Sequence, residues 1–257
     1  MQTALTIAGS DSGGGAGIQA DLRTFQAHGV FGTSAITAVT AQNTLGVRAV
    51  LVLDPSMVEA QIDAVAADFS VAATKIGMLA SAGIIRVVAA ALGRHHLGPI
   101  VLDPVMVAKG GDSLLASDAV AALRDILLPR ATLLTPNIPE AEALTGLRIA
   151  TVADMRAAAA QLLTFGAQAV VVKGGHLDGP AVDVYADGFG IEEFSAARIA
   201  SPHTHGTGCT FSSAVAARLA LGDPLKTAVR SAKAYVLRAI ANAPRLGHGH
   251  GPLGLGC

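Results

Sequence analysis

Short apolar, β-branched runs alternate along this chain with longer Ala-rich stretches whose apolar residues recur every three or four positions. The short runs predict strands at Leu5–Ala8, Ser34–Val39, Ala49–Leu53, Ala73–Ile76, Ile100–Leu102, Leu133–Thr135 and Ala169–Val172. The longer runs predict helices at Gly17–His28, Pro55–Asp68, Ala82–His95, Asp118–Leu127, Pro139–Leu144, Val152–Phe165, Gly208–Leu221 and Pro224–Asn242. Asp54-Pro55 and Asp223-Pro224 each set a capping carboxylate ahead of a Pro at the first helical position. A hairpin is expected between Val182 and Ile199, turning at Asp187-Gly188. Strand–helix alternation predicts βαβ units and a mainly parallel sheet. The expectation is one doubly wound α/β domain over residues 1–257, with ligands at the C-terminal ends of its strands. No linker or repeat interrupts it, and only residues 247–257 form a Gly/His-rich tail.

Composition narrows the function classes. The chain is 51% hydrophobic and 14% charged, with a mean hydropathy of +0.52. No apolar run reaches the roughly 18 residues of a membrane-spanning helix. The stretch from Met1 to Ala8 lacks a basic region and reads as a first strand, not a signal peptide. A net charge of −1 implies no basic face, which argues against nucleic acid and anionic membrane as partners. The two cysteines, Cys209 and Cys257, make neither a disulfide framework nor a zinc-type pair. They fit a reducing, cytoplasmic setting.

The most informative segment is His205-Gly206-Thr207-Gly208-Cys209-Thr210-Phe211-Ser212-Ser213. A Gly-rich turn enters an apolar helix whose first N–H groups have no partner within it. Gly206, Thr207 and Gly208 can therefore build a pocket for a phosphate or a developing anion. Cys209 would point into that pocket with its thiol pKa lowered. The structural alternative is a Gly-capped helix start with a buried Cys.

Other candidates lie at predicted strand ends. Gly9-Ser10-Asp11-Ser12-Gly13-Gly14-Gly15-Ala16-Gly17 follows the first strand. Gly15-x-Gly17-x-x-Ala20 fits a dinucleotide loop, but Leu22 to Leu53 contains no acidic residue to hold a ribose. The dipeptide Gly-Lys is absent, so a P-loop also fails. The loop instead suits close backbone approach to a substrate. Asp21 could accept hydrogen bonds from a ligand or simply complement a helix start. Gln42, as an amide, suits an aromatic N-heterocycle with an amino group, or is a solvated strand end. Asp103 is placed for a metal or phosphate-bound Mg²⁺, or is a turn cap. Lys109-Gly110-Gly111-Asp112 reads as a mobile flap. Asn137 and Glu140 could hold a hydrated Mg²⁺ or form a capping box. Lys173 beside Gly174-Gly175 suits a nucleotide phosphate, or is a surface Lys before a turn.

The segments LTIAGSDSGGGAGIQADL, TAQNTLGV, TKIGML, VLDPVMVAKGGD, LLTPNIPEAEAL, VVKGGH and THGTGCTFS occur in this order. From Ala4 to about Leu253 the chain resembles the bacterial hydroxymethylpyrimidine/phosphomethylpyrimidine kinases of thiamin biosynthesis, in the ribokinase superfamily. The resemblance implies a three-layer α/β/α sandwich, usually dimeric. It implies transfer of the ATP γ-phosphoryl group to 4-amino-5-hydroxymethyl-2-methylpyrimidine and then to its monophosphate. By the same resemblance, Gly9, Asp21 and Gln42 would hold the pyrimidine, and Met78 and Val105 would pack on its ring. Asn137, Glu140 and Lys173 would serve ATP and Mg²⁺, with Asp103 near the metal. Gly206, Thr207, Gly208 and Cys209 would form the anion hole, with Cys209 where many related sugar kinases carry Asp as base. Gly110 and His203 depart from the Ser and Asn expected there. Pyridoxal-type relatives tend to have Met for Gln42 and Ala for Thr207, so both residues here favour the pyrimidine.

Overall fold

The computed structural model describes residues 1–106 and 117–256. The flap reading at residues 109–112, with Gly110, lies outside them, as does Cys257. Among the described residues, nine strands form one sheet in the order β3-β2-β1-β4-β5-β6-β7-β8-β9. They are β1 (Thr3–Asp11), β2 (Phe31–Asn43), β3 (Gly46–Val52), β4 (Val71–Ile76), β5 (Ile100–Leu102), β6 (Leu133–Leu134), β7 (Ala169–Val172), β8 (Ala181–Asp187) and β9 (Gly190–Ala196). The strands from β2 to β7 in that order pair in parallel, and β3, β8 and β9 run antiparallel at the two edges. The helices are α1 (Gly17–Ala27), α2 (Pro55–Asp68), α3 (Ala82–Arg94), α4 (Ser117–Ala122), α5 (Ile138–Thr145), α6 (Val152–Thr164), α7 (Thr207–Ala220) and α8 (Leu225–Ala241). Thus the predicted strands and helices form, most of the strands longer than predicted. The helix predicted at Asp118–Leu127 divides into α4 and a π turn at Leu123–Leu127.

Two apolar layers flank the sheet. Helices α2 to α6 bury Val58, Ile85, Leu144 and Leu162 against one face. Helices α1, α7 and α8 bury Phe25, Val215 and Val236 against the other. This is the expected three-layer α/β/α sandwich. Caps set the helix starts: Asp54 accepts from Ser56 N–H, with Pro55 at the first position of α2. The matching expectation for Asp223 fails. Its carboxylate takes Arg218 instead, and Pro224 stands as N-cap without a side-chain bond. The C-terminal tail is anchored. His250 N–H donates to Thr44 O, His205 N–H donates to Gly251 O, and Leu253 and Leu255 are buried.

Candidate active site

The chain turns from β1 to β2 on one side and later to β4 on the other, which opens a crevice at the C-terminal strand ends. A cleft of about 860 Å³ lies there. At one end β1 is irregular between Ala8 and Ser10, so the Gly9 backbone reaches the cleft. Met78 and Val105 pack with Ala38 and Ala80 into a small apolar cluster. Gln42, at the end of β2, lines the same end. Its Nε2 lies 3.2 Å from Nε2 of His205 and its Oε1 lies 3.2 Å from Thr40 Oγ1. Gly9, Gln42, Met78 and Val105 therefore share one wall.

Asp21 is not on that wall. It is fully buried beneath it, and its carboxylate accepts from Thr6 Oγ1 and Ser213 Oγ at 2.6 Å and from Lys75 Nζ at 2.8 Å. The expectation that it holds a ligand is corrected: every oxygen faces protein donors, and its charge is spent on Lys75. Lys75 was not foreseen, although it lies within the quoted TKIGML segment. Burial opposes its charge, but Asp21, Cys209 and Asp103 more than compensate and hold its pKa above the ordinary lysine value.

The middle of the cleft is the start of α7. Gly206 is its N-cap at φ +81°, and a Cβ there would lie 1.8 Å from Gly15 O. Only glycine fits both the left-handed backbone and that contact. A Cβ on Gly208 would meet Lys173 Nζ at 3.2 Å and Asp103 Oδ2 at 3.4 Å, so the bare glycine leaves space between the helix end and this charged pair. The helix N-terminus supplies N–H donors and a positive dipole end to that space.

Cys209 keeps some surface in the cleft. Its thiol corrects another expectation. Burial pushes its pKa up to about 11, and Asp21 and Asp103 add to the rise against Lys75 and the Gly17 N–H. Gly17 itself, at φ +55°, has no room for a side chain, since a Cβ would sit 2.3 Å from Gly9 O.

The far end carries the charges expected for a nucleotide. Lys173 Nζ donates to Asp103 Oδ1 at 2.9 Å. Burial opposes the Lys173 charge, but Asp103 and Glu140 raise its pKa. Asn137 and Glu140 form the capping box: Asn137 Oδ1 accepts from Glu140 N–H at 2.9 Å, and Glu140 Oε2 accepts from Asn137 N–H at 2.8 Å. Both residues also line the cleft, so the structural reading holds without removing them from the site. Burial, and then Asp103, raise the Glu140 pKa to about 7 against Lys173. A divalent cation would relieve the penalty that Asp103 places on the Glu140 charge. No cluster of three or more ligating side chains exists among the described residues. The donor set thus fits Mg²⁺ that arrives with phosphates, which needs only one or two carboxylates.

Two further pairs escaped the sequence reading. Asp11 Oδ1 accepts from Gly13 N–H at 2.8 Å, and its Oδ2 accepts from Gly15 and Ala16 N–H at 3.1 and 2.9 Å. The same Oδ2 takes His205 Nε2 at 2.9 Å, which ties the first Gly-rich loop to the anion-hole loop. Burial works against the Asp11 charge, but these bonds outweigh it and hold the carboxyl below its usual range. On the nucleotide side, Asp183 accepts from Gly174 N–H at 3.0 Å and from Lys233 Nζ at 2.7 Å. No local sequence pattern marked either pair.

Comparison with known proteins identifies the family. Residues 11–254 match the family model for phosphomethylpyrimidine kinase. A hydroxymethylpyrimidine/phosphomethylpyrimidine kinase of Haemophilus influenzae is 51% identical, over 98% of this chain and 96% of that protein. Among solved structures, an ADP complex of Bacillus subtilis pyridoxal kinase superposes with a TM-score of 0.91 at 41% identity, covering 98% of this chain and 96% of that one. A phosphomethylpyrimidine kinase from Clostridium difficile superposes with a TM-score of 0.84 at 44% identity, covering 93% and 100%.

Proposed function

Because the chain belongs to the phosphomethylpyrimidine kinase family, we propose that the cleft holds a hydroxymethylpyrimidine against Gln42 and a nucleotide against Lys173. The enzyme phosphorylates 4-amino-5-hydroxymethyl-2-methylpyrimidine with ATP, first to the monophosphate and then to the diphosphate, in thiamin biosynthesis. The observation that carries the site assignment is one continuous cleft. It joins Gln42, Met78 and Val105 at one end to Asp103 and Lys173 at the other, across the start of α7.

In this reading the ring lies between Met78 and Val105, beside the Gly9 backbone, with Gln42 on its amino edge. Lys173 and Asn137 bind phosphates. The N–H groups at Thr207, Gly208 and Cys209 face the phosphoryl group as its charge develops; removing one such donor typically costs 10²–10³ in rate. Phosphoryl transfer demands mainly positioning and charge stabilisation, which this arrangement supplies. Asp103 and Glu140 would hold Mg²⁺, which neutralises phosphate charge when bound. Cys209 takes the proton from the substrate hydroxymethyl group in the first transfer. In the second, the attacking phosphate is already ionised and no base is required.

Residues 1–257 act as a single domain of the cytoplasm, and the protein is a homodimer. Val39 on β2 and its cross-strand partner Leu51 on β3 are exposed on the same face of this hairpin, an apolar surface that a second copy would cover. No helix among the described residues is long and apolar enough to cross a membrane.

The deciding assay follows ATP-dependent product formation, with Mg²⁺, from the pyrimidine, its monophosphate and pyridoxal in parallel. Pyrimidine diphosphate with little pyridoxal turnover is expected. Turnover of pyridoxal alone overturns the assignment of Gln42, and no turnover of any of the three leaves a binding protein without kinase activity.

A further inference from the structure

His205 sits where four parts of the chain meet. Its ring touches Asp11, Gln42 and the Gly15 backbone, and its own backbone pairs with the C-terminal tail at Gly251 and Pro252. The ring is almost fully enclosed, with 10% of the side chain exposed against 4% for Asp11.

Hydrogen counting around Gln42 leads to a definite orientation. The Asp11 carboxylate can only accept, so Nε2 of His205 carries the hydrogen between them, at 2.9 Å. That nitrogen then has no lone pair to offer an NH₂ group, so the Gln42 atom 3.2 Å away is the amide oxygen, which shares the one Nε2 hydrogen with Asp11 as the longer arm of a three-centre bond. The other end of the amide agrees. Thr40 Oγ1 has one hydrogen, and Ser10 O accepts it at 3.0 Å. The Gln42 atom 3.2 Å from that hydroxyl is satisfied if it is the NH₂, donating to a free lone pair on Thr40. A half-turn of the amide about its last torsion gives Thr40 a donor and replaces a donor–donor contact at His205 with a shared hydrogen.

We infer that Asp11 and His205 form a specificity-determining positioning pair, which locks the Gln42 amide with its oxygen towards His205 and its NH₂ towards Thr40. The inference rests on the pyrimidine kinase reading. Locked in this way, the amide has one oxygen lone pair and one N–H left for the cleft. They match the exocyclic amine and adjacent ring nitrogen of a 4-aminopyrimidine. A ring lacking the amine leaves the oxygen unsatisfied, which is how a polar site rejects a near-isostere. Asp11 and His205 act through Gln42.

The test is calorimetric binding of the 4-amino-5-hydroxymethylpyrimidine and of its analogue lacking the 4-amino group. Wild type, His205→Leu and His205→Gln are compared, each also with Gln42→Met. His205→Leu is expected to reduce the preference for the amino compound about tenfold, the worth of one well-placed hydrogen bond. His205→Gln restores most of it, because its Nε2–H can reach Asp11. With Gln42→Met present, His205→Leu changes the preference no further. Equal weakening towards both compounds, or the same change with Gln42→Met present, overturns the inference. If His205→Leu does not fold, Thr40→Val removes the acceptor at the other end of the amide, and an unchanged preference there is equally fatal. A wild type that phosphorylates pyridoxal and not the pyrimidine removes the kinase reading and this inference with it. A wild-type pyrimidine kinase whose preference survives these substitutions overturns the inference alone.

Discussion

Replacing Cys209 by Ala separates the two phosphorylations. In the free protein, burial holds the thiol pKa at about 11 against the pull of the Lys75 ammonium. At pH 8 about one molecule in a thousand then carries the thiolate. A base acts only when deprotonated, so the sign is fixed: kcat/KM of the first transfer, which reports the free enzyme, rises with pH. The rise is about tenfold per unit from pH 7 to 10 and levels near 11. The phosphate that attacks in the second transfer has a pKa of about 6, so that step stays flat above pH 7. Cys209→Ala leaves the backbone donors of α7 in place and removes only the base, which is worth about 10²–10⁴. The first step should therefore fall at least about 10²-fold and lose its pH slope, and the second less than about tenfold. Cys209→Ser, with a far less acidic group, should behave like the Ala variant. Separate progress curves for the monophosphate and diphosphate, from pH 6.5 to 9.5, read both effects, with circular dichroism at each pH to check folding. Equal losses in both steps, or a wild-type first step independent of pH, would refute the assignment of Cys209 as base.

Lys75→Met leaves the Asp21 carboxylate, 0% exposed, with only the hydroxyls of Thr6 and Ser213. Breaking such a buried pair is expected to cost about 3–5 kcal/mol, read as a lower urea midpoint; a loss under about 1 kcal/mol would sink the idea that the pair is charged. The Lys75 pKa is raised on folding, so its contribution is complete below the unfolded value of 10.5 and fades only as pH rises beyond it. The wild-type urea midpoint should accordingly show no loss from this pair between pH 6 and 9. Gly206→Ala forces a Cβ to within 1.8 Å of Gly15 O at φ +81°. Both phosphorylations should drop by about 10² or more as the donors of α7 move away, and wild-type rates in this variant would show that the turn is not needed.

The starts of α2 and α5 were legible because their signals are local, while Asp223 ahead of α8 is taken by Arg218 instead. Asp54 caps a residue two positions on, and Asn137 and Glu140 close their box within one turn. The start of α7 was legible for the same reason, since a left-handed Gly followed by a helix start is a property of three or four consecutive residues. What escaped are the partners of those residues. Asp21 is 54 positions from Lys75, and Asp11 is 194 from His205. Nothing in either segment marks the pairing, which exists only because β1 lies beside β4 and the C-terminal segment returns over the first loop. The failed expectation for Cys209 has the same origin. A helix N-terminus lowers a thiol pKa over a single turn, and that much can be read from neighbouring residues. The opposing effects are burial and the carboxylates of Asp21 and Asp103, all tertiary and together the stronger. Lys75, which the sequence hid inside a strand, is the largest influence pulling the other way. The state of the Cys209 thiol is therefore set less by the motif it sits in than by burial and charges that only the fold assembles.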